Sequence, residues 1–181
     1  MHGKITIAEA AQSAAAGNED ARVELVAPFI EAAAHVIHQT CGETVSKGRI
    51  FRLRSPQTTN DVSALVAITG SIMGIVTYSM SMNTARELAS RMIGDQLAEL
   101  DEMGQSAVAE LANMITGQAG IRLEQSGFPS DMSPPVVLLG HGSSIVTFHL
   151  TRLVLPLVLS FGEFHVDVAI REASGMGRLR G

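Results

Sequence analysis

Ser106-Ala-Val-Ala-Glu110-Leu-Ala-Asn113-Met-Ile-Thr-Gly117 reads as the middle of a long helix. At about 100° per residue, Ala107, Val108, Leu111, Met114 and Ile115 share one apolar stripe. Glu110 and Asn113 fall on the opposite side, with Ser106, Ala109, Thr116, Gly117 and Gly120. From Met103 to Ile121 the only charged side chain is Glu110. A solvated face ordinarily carries Lys, Arg, Glu and Gln. This one is bare except for a carboxylate and a carboxamide at (i, i+3), which project together. Glycine within a helix costs about 1 kcal/mol against alanine, so Gly117 and Gly120 are not there for stability. A smooth surface bearing two functional groups suits a partner that comes very close.

The flanking segments set this helix inside an α+β fold. Asp101 predicts its start, and Gly127 with Pro129 its end after Ser126. Upstream, apolar residues recur at helical spacing from Val23 to Gln39, with Gly42 as the stop. Strands are expected at Arg49–Arg54, Val62–Thr69 and Ser71–Ser79, with Gly74 marking a bulge or a close approach. A short helix follows at Asn83–Ile93, capped by Ser81 or Asn83 and ended by Gly94. Downstream, strands are expected at Pro135–Leu139, Ser144–Leu150, Arg152–Ser160 and Phe164–Arg171. The order predicts two long helices packed on one face of a largely antiparallel sheet, in two pseudo-repeated halves of helix plus strands. Pro156 marks Arg152–Ser160 as an edge strand or a bulged one. So apolar an edge hints at a homodimer formed by sheet extension. Residues 1–20 read as a flexible arm, 21–172 as the domain and 173–181 as a flexible tail.

Composition excludes several functions. A net charge of −5 disfavours nucleic-acid binding, which needs clustered Lys and Arg. No apolar run approaches the roughly 20 residues of a membrane span, and the N-terminus lacks the pattern of a secretory signal. A cytoplasmic location without membrane insertion is the expectation. Cys41 is the single cysteine and reads as a free thiol at a helix end, despite His35 and His38 nearby. His141, His149 and His165 read as structural or exposed. Met73, Met80, Met92, Met103 and Met114 read as core filling. No cofactor or metal site of the chain's own is expected.

The chain resembles the CheX branch of the CheC/CheX/FliY family of chemotaxis phosphatases from about Val23 to Arg171. The family motif is Asp or Ser, three residues, Glu, two residues, Asn, then a proline a little over twenty residues on. Ser106, Glu110, Asn113 and the Pro134-Pro135 pair fill it in order. "AITGSIMGIVTYSMS", "AVAELANMITG" and "DMSPPVV" also resemble family sequence. CheC-type members resemble two half-sites, each helix bearing Glu and Asn. Here Glu31 of the first helix is followed at i+3 by Ala34, which is the CheX pattern.

The resemblance implies hydrolysis of the aspartyl phosphate of a CheY-type response regulator. Asn113 would orient the attacking water, and Glu110 would dock onto the receiver's active-site lysine. Mg2+ would sit in the receiver. Ser106, Ala109, Thr116 and Gly117 would line the contact, with Ser106 also able to bond its own helix backbone. The resemblance also implies a dimer. The alternative function is a noncatalytic module that uses the same helix face to bind a receiver or dock in a motor complex.

Overall fold

The computed structural model describes residues 23–53, 60–142 and 150–173. Three helices run over Val23–Cys41 (α1), Met82–Ile93 (α2) and Glu102–Gln125 (α3). Eight strands run over Ser46–Lys47 (β1), Phe51–Leu53 (β2), Val62–Gly70 (β3), Ile72–Met80 (β4), Ser130–Met132 (β5), Val136–Leu139 (β6), Arg152–Leu159 (β7) and Gly162–Glu172 (β8). All eight form one antiparallel sheet in the order β1-β7-β8-β4-β3-β5, with β2 also on β7 and β6 also on β3.

The sheet is two hairpins, β3–β4 and β7–β8, joined along β4 and β8 from Ile72 opposite Glu172 to Met80 opposite Phe164. Each hairpin's outer strand is then flanked by two short strands. β1 and β2 come from the first half of the chain but pair with β7 of the second. β5 and β6 come from the second half but pair with β3 of the first. The pseudo-repeat expected from the element order is thus visible as a reciprocal exchange.

This exchange corrects the reading of Arg152–Ser160 as a bare edge. The outer side of β7 is taken by β1 near Leu157 and Val158 and by β2 from Arg152 to Val154. Pro156 falls in the gap between them, where its carbonyl accepts from the Gly48 amide at 2.8 Å and no N–H is needed. Ala67 occupies the matching gap on β3, and there Ser133 answers both backbone groups. Its N–H donates to the Ala67 carbonyl at 2.9 Å and its Oγ accepts from the Ala67 amide at 3.0 Å. Sheet extension through β7 is therefore closed off by the chain itself.

The remaining strands form close to their expected bounds, and Gly74 marks a close approach. At φ +147° a Cβ there would lie 2.0 Å from the Ala169 carbonyl oxygen of β8. β1 and β5 were not anticipated, being two and three residues long. The strand expected at Ser144–Leu150 lies, apart from its last residue, outside the described residues. So do the N-terminal arm and the C-terminal tail beyond Ala173.

The helices cover one face of the sheet. Alternate residues of the central strands, including Val66, Val76, Tyr78, Phe164, Val166 and Val168, turn inward and are buried. Against them pack Phe29, Ala33 and Val36 of α1, Leu88 of α2, and Val108, Leu111 and Ile115 of α3. Cys41 ends α1 as a buried free thiol, and burial pushes its pKa up, away from nucleophilic use. Nearby, Glu43 ties three elements together. Its carboxylate accepts from the Ser160 amide at 2.7 Å and from Arg91 of α2 at 2.8 Å. Arg91 also lies 4.6 Å from the centre of the Phe161 ring.

Candidate functional site

Helix α3 begins where Asp101 caps it, the carboxylate accepting from the Gly104 amide at 2.9 Å. Val108, Leu111, Ala112, Ile115, Ala119 and Leu123 are buried and hold its inner face. Glu110 and Asn113 stand on the outer face, both exposed. They are separated by Leu111 and Ala112, each 1% exposed, so the backbone beneath the pair is fixed by packing. Among the described residues no hydrogen bond or ion pair engages either side chain. An exposed acid and amide are therefore held ready without an internal partner.

The other expected contact residues divide. Ser106 is exposed, and its Oγ donates to the Glu102 carbonyl at 2.9 Å, the local backbone bond foreseen for it. Ala109 is half-buried and Gly117 is exposed. Thr116 requires a correction. It is 3% exposed and points into the core, where its hydroxyl pairs with the Tyr78 hydroxyl at 2.9 Å. The helical wheel set Thr116 on the outer face with Glu110 and Asn113, and a polar side chain there reads as solvated. The wheel cannot register that the chain's one tyrosine waits opposite on β4. Tyr78 is fully buried and stacks on Phe164 with ring centres 5.9 Å apart. This pair pins α3 to the sheet one turn beyond Asn113. Burial raises the Tyr78 pKa, so the pin is made of two neutral hydroxyls.

The glycines of α3 also divide. A Cβ on Gly104 would meet the Leu100 and Leu97 methyls at 2.9 and 3.0 Å, so close packing of those side chains accounts for the glycine. Gly120 is half-buried, not bare, and a Cβ there would meet the Met132 methyl at 3.3 Å. At Gly117 nothing among the described residues lies within 4 Å of the missing Cβ. Only Gly117, one turn from Asn113, is left without a reason inside the chain.

The outer face of α3 is otherwise unusual. Its exposed residues include Glu102, Glu110 and Glu124 but no Lys or Arg. Met103 is 59% exposed and Ile121 53%, so core filling fails for Met103. Met80 is buried, while Met73, Met92 and Met114 are half-buried, in keeping with that reading. His35 and His38 are exposed, and His141 contacts the Asp61 carboxylate. Among the described residues no group of three or more His, Cys, Asp or Glu side chains is placed to hold a metal ion. No helix among them is long and apolar enough to cross a membrane.

Residues 62–157 match the family model described as "Chemotaxis phosphatase CheX". The chain belongs to the CheX family. The CheY-P phosphatase CheX of Thermotoga maritima is 31% identical over 157 residues, spanning 86% of this chain and 99% of that protein. The crystal structure of CheX from Desulfovibrio desulfuricans superposes with a TM-score of 0.74 at 28% identity, over 83% of this chain and 99% of that one. The Borrelia burgdorferi CheX solved in a CheX-CheY-BeF3-Mg2+ complex gives a TM-score of 0.71 at 26% identity, over 82% and 98%. The fold and the CheX membership read from the sequence are thus shown.

Proposed function

We propose that this CheX-family chain hydrolyses the aspartyl phosphate of a CheY-type response regulator, with Asn113 and Glu110 as its working groups. The observation that carries this reading is their disposition. An acid and an amide stand unpartnered and one turn apart, on a rigid outer helix face free of basic side chains. An acyl phosphate already has a good leaving group. What its hydrolysis lacks is a water held in line with the P–O bond. The Asn113 amide oxygen accepts a hydrogen bond from that water and its NH2 can donate, so the water is oriented without a base. The water oxygen bonds to phosphorus as the P–O bond to the aspartate breaks, leaving the receiver carboxylate and inorganic phosphate.

Glu110 supplies the docking contact, its carboxylate gripping the receiver's active-site lysine and fixing the register that places Asn113. The phosphoryl group, the lysine and Mg2+ all come from the receiver. A convex helix carrying two groups suits entry into a partner's recess. The exposed Ser106 and Gly117 and the half-buried Ala109 lie around the pair as its contact margin. The reading places the chain in the cytoplasm with its regulator.

The same reading includes a homodimer. With β7 covered, β6 is the most apolar of the outer strands that could extend the sheet, uncharged and with Val136 and Leu139 59% and 45% exposed. A phosphate-release assay with CheY-type receivers tests the activity. Faster release with the wild-type chain, lost in Asn113→Ala, is the expected result. Binding of the phosphorylated receiver with no faster decay would instead support the noncatalytic module.

A further inference from the structure

Met103 and Ile121 are large apolar side chains more than half exposed, on a helix whose inner face already fills the core. Both lie within about 20° of the line through Glu110 along the axis, at 100° per residue. At 1.5 Å per residue, Met103 stands about 10 Å before Glu110 and Ile121 about 12 Å beyond Asn113. The functional pair is therefore bracketed by one exposed apolar side chain on each side. Between the brackets the exposed residues are small or polar: Ser106, Gly117 and Gln118 beside the pair itself.

We infer that Met103 and Ile121 are the apolar anchors by which this helix docks on its receiver, seating on apolar surface to either side of the phosphorylated pocket. This rests on the phosphatase reading above and specifies how that partner is held. Charge argues for the same occupant. The exposed face carries three acids and no base, so its complement is cationic at the centre with apolar flanks. A surface that admits Glu110 and Asn113 into a recess must also cover residues about two turns away on the same line. A polar pair alone, rimmed by water, would give little affinity. Apolar anchors beside it exclude solvent and strengthen the charge contact.

The anchors touch no reacting atom, so they govern binding and leave the chemical step to Asn113. The test is the double variant Met103→Gln, Ile121→Gln, in which helix propensity is kept and neither residue belongs to the hydrophobic core. With a phosphorylated CheY-type receiver and Mg2+, KM is expected to rise about tenfold while kcat stays near wild type. Affinity for the same receiver loaded with beryllofluoride should fall by a similar factor. Asn113→Ala should do the reverse, losing kcat with affinity largely kept. A double variant with wild-type KM and wild-type affinity overturns the anchor proposal and leaves the phosphatase reading standing. A wild-type chain that neither binds receivers nor speeds their dephosphorylation overturns both.

Discussion

α1 and α3 are the two long helices, packed on one another over the same sheet, yet their outer faces differ in kind. The exposed residues of α1 include Glu31, His35, His38 and Gln39, an ordinary solvated surface. Those of α3 include Met103, Ser106, Glu110, Asn113, Gly117 and Ile121. Both helices bury a largely apolar inner face, so packing does not demand the difference. A helix that only closes a core can take any polar outer face. One that meets a partner has its outer face specified twice, by what must be present and by what must be absent.

Substitution at the proposed pair is the severest way to break this comparison. Asn113→Ala should lower the turnover of phosphorylated receiver by about a hundredfold or more, while circular dichroism and melting temperature stay near wild type. Glu110→Ala should lose a similar amount, mainly through weaker complex formation. Glu31→Ala on α1 should change neither. Loss of activity there would mean that both helices take part.

The second test concerns how each helix is held. α1 and α2 are joined at their ends through Glu43, whose carboxylate sits below the usual carboxylate range because the Ser160 amide, and then Arg91, favour its charged form. A group depressed in this way stabilises the fold above the ordinary carboxylate pKa, and that contribution is lost as pH falls through the depressed value. Glu43→Gln should therefore lower urea resistance at neutral pH and converge with wild type in acid. A constant gap across the range would show that charge is not what holds the clasp. α3 is held instead by neutral hydroxyls. Thr116→Val, which orphans the Tyr78 hydroxyl, should cost about 1–3 kcal/mol, read as a drop of about 2–4 °C in melting temperature per kcal/mol. That loss should not depend on pH across the carboxylate range.

The gentlest probe is Gly117→Ala. Nothing among the described residues opposes the added methyl group, so stability should rise by about 0.5–1 kcal/mol. Receiver dephosphorylation should fall because the approach is narrowed. A more stable and equally active variant would show that the glycine is incidental.

Most of the architecture was legible because long elements repeat their signal. The apolar spacing of Val23–Gln39 and the β-branched runs on either side of Gly70 are decided within the segment itself. β1 and β5 are too short to carry a period, and the partners that define them are on the other half of the chain. Pro156 was rightly read as a residue that cannot donate to a ladder. That left open whether solvent or a gap between two neighbouring strands spares it the need. At the proposed site, the exposed outer placement of Glu110 and Asn113 was legible because their surroundings lack competing charge. Thr116 was misread because its burial depends on a tyrosine 38 residues away in the sequence. The exposure of Met103 and Ile121 was hidden for a related reason. Periodicity assigns a side chain to a stripe, and an apolar residue on the outer stripe looks like noise until its surface is measured.

The reciprocal placement of the short strands bears on how such a chain can change over time. The first helix has Ala34, not an amide, at i+3 from Glu31, so it lacks the acid–amide pair of the second half. Yet the first half's β1 and β2 close the sheet of the second, while the second half's β5 and β6 close the sheet of the first. Cutting the chain between the halves would leave each fragment with an unpaired outer strand and an open apolar ladder. A half without the acid–amide pair therefore cannot be trimmed away. It is kept as the lining of its neighbour, free to vary only on the surface that faces water.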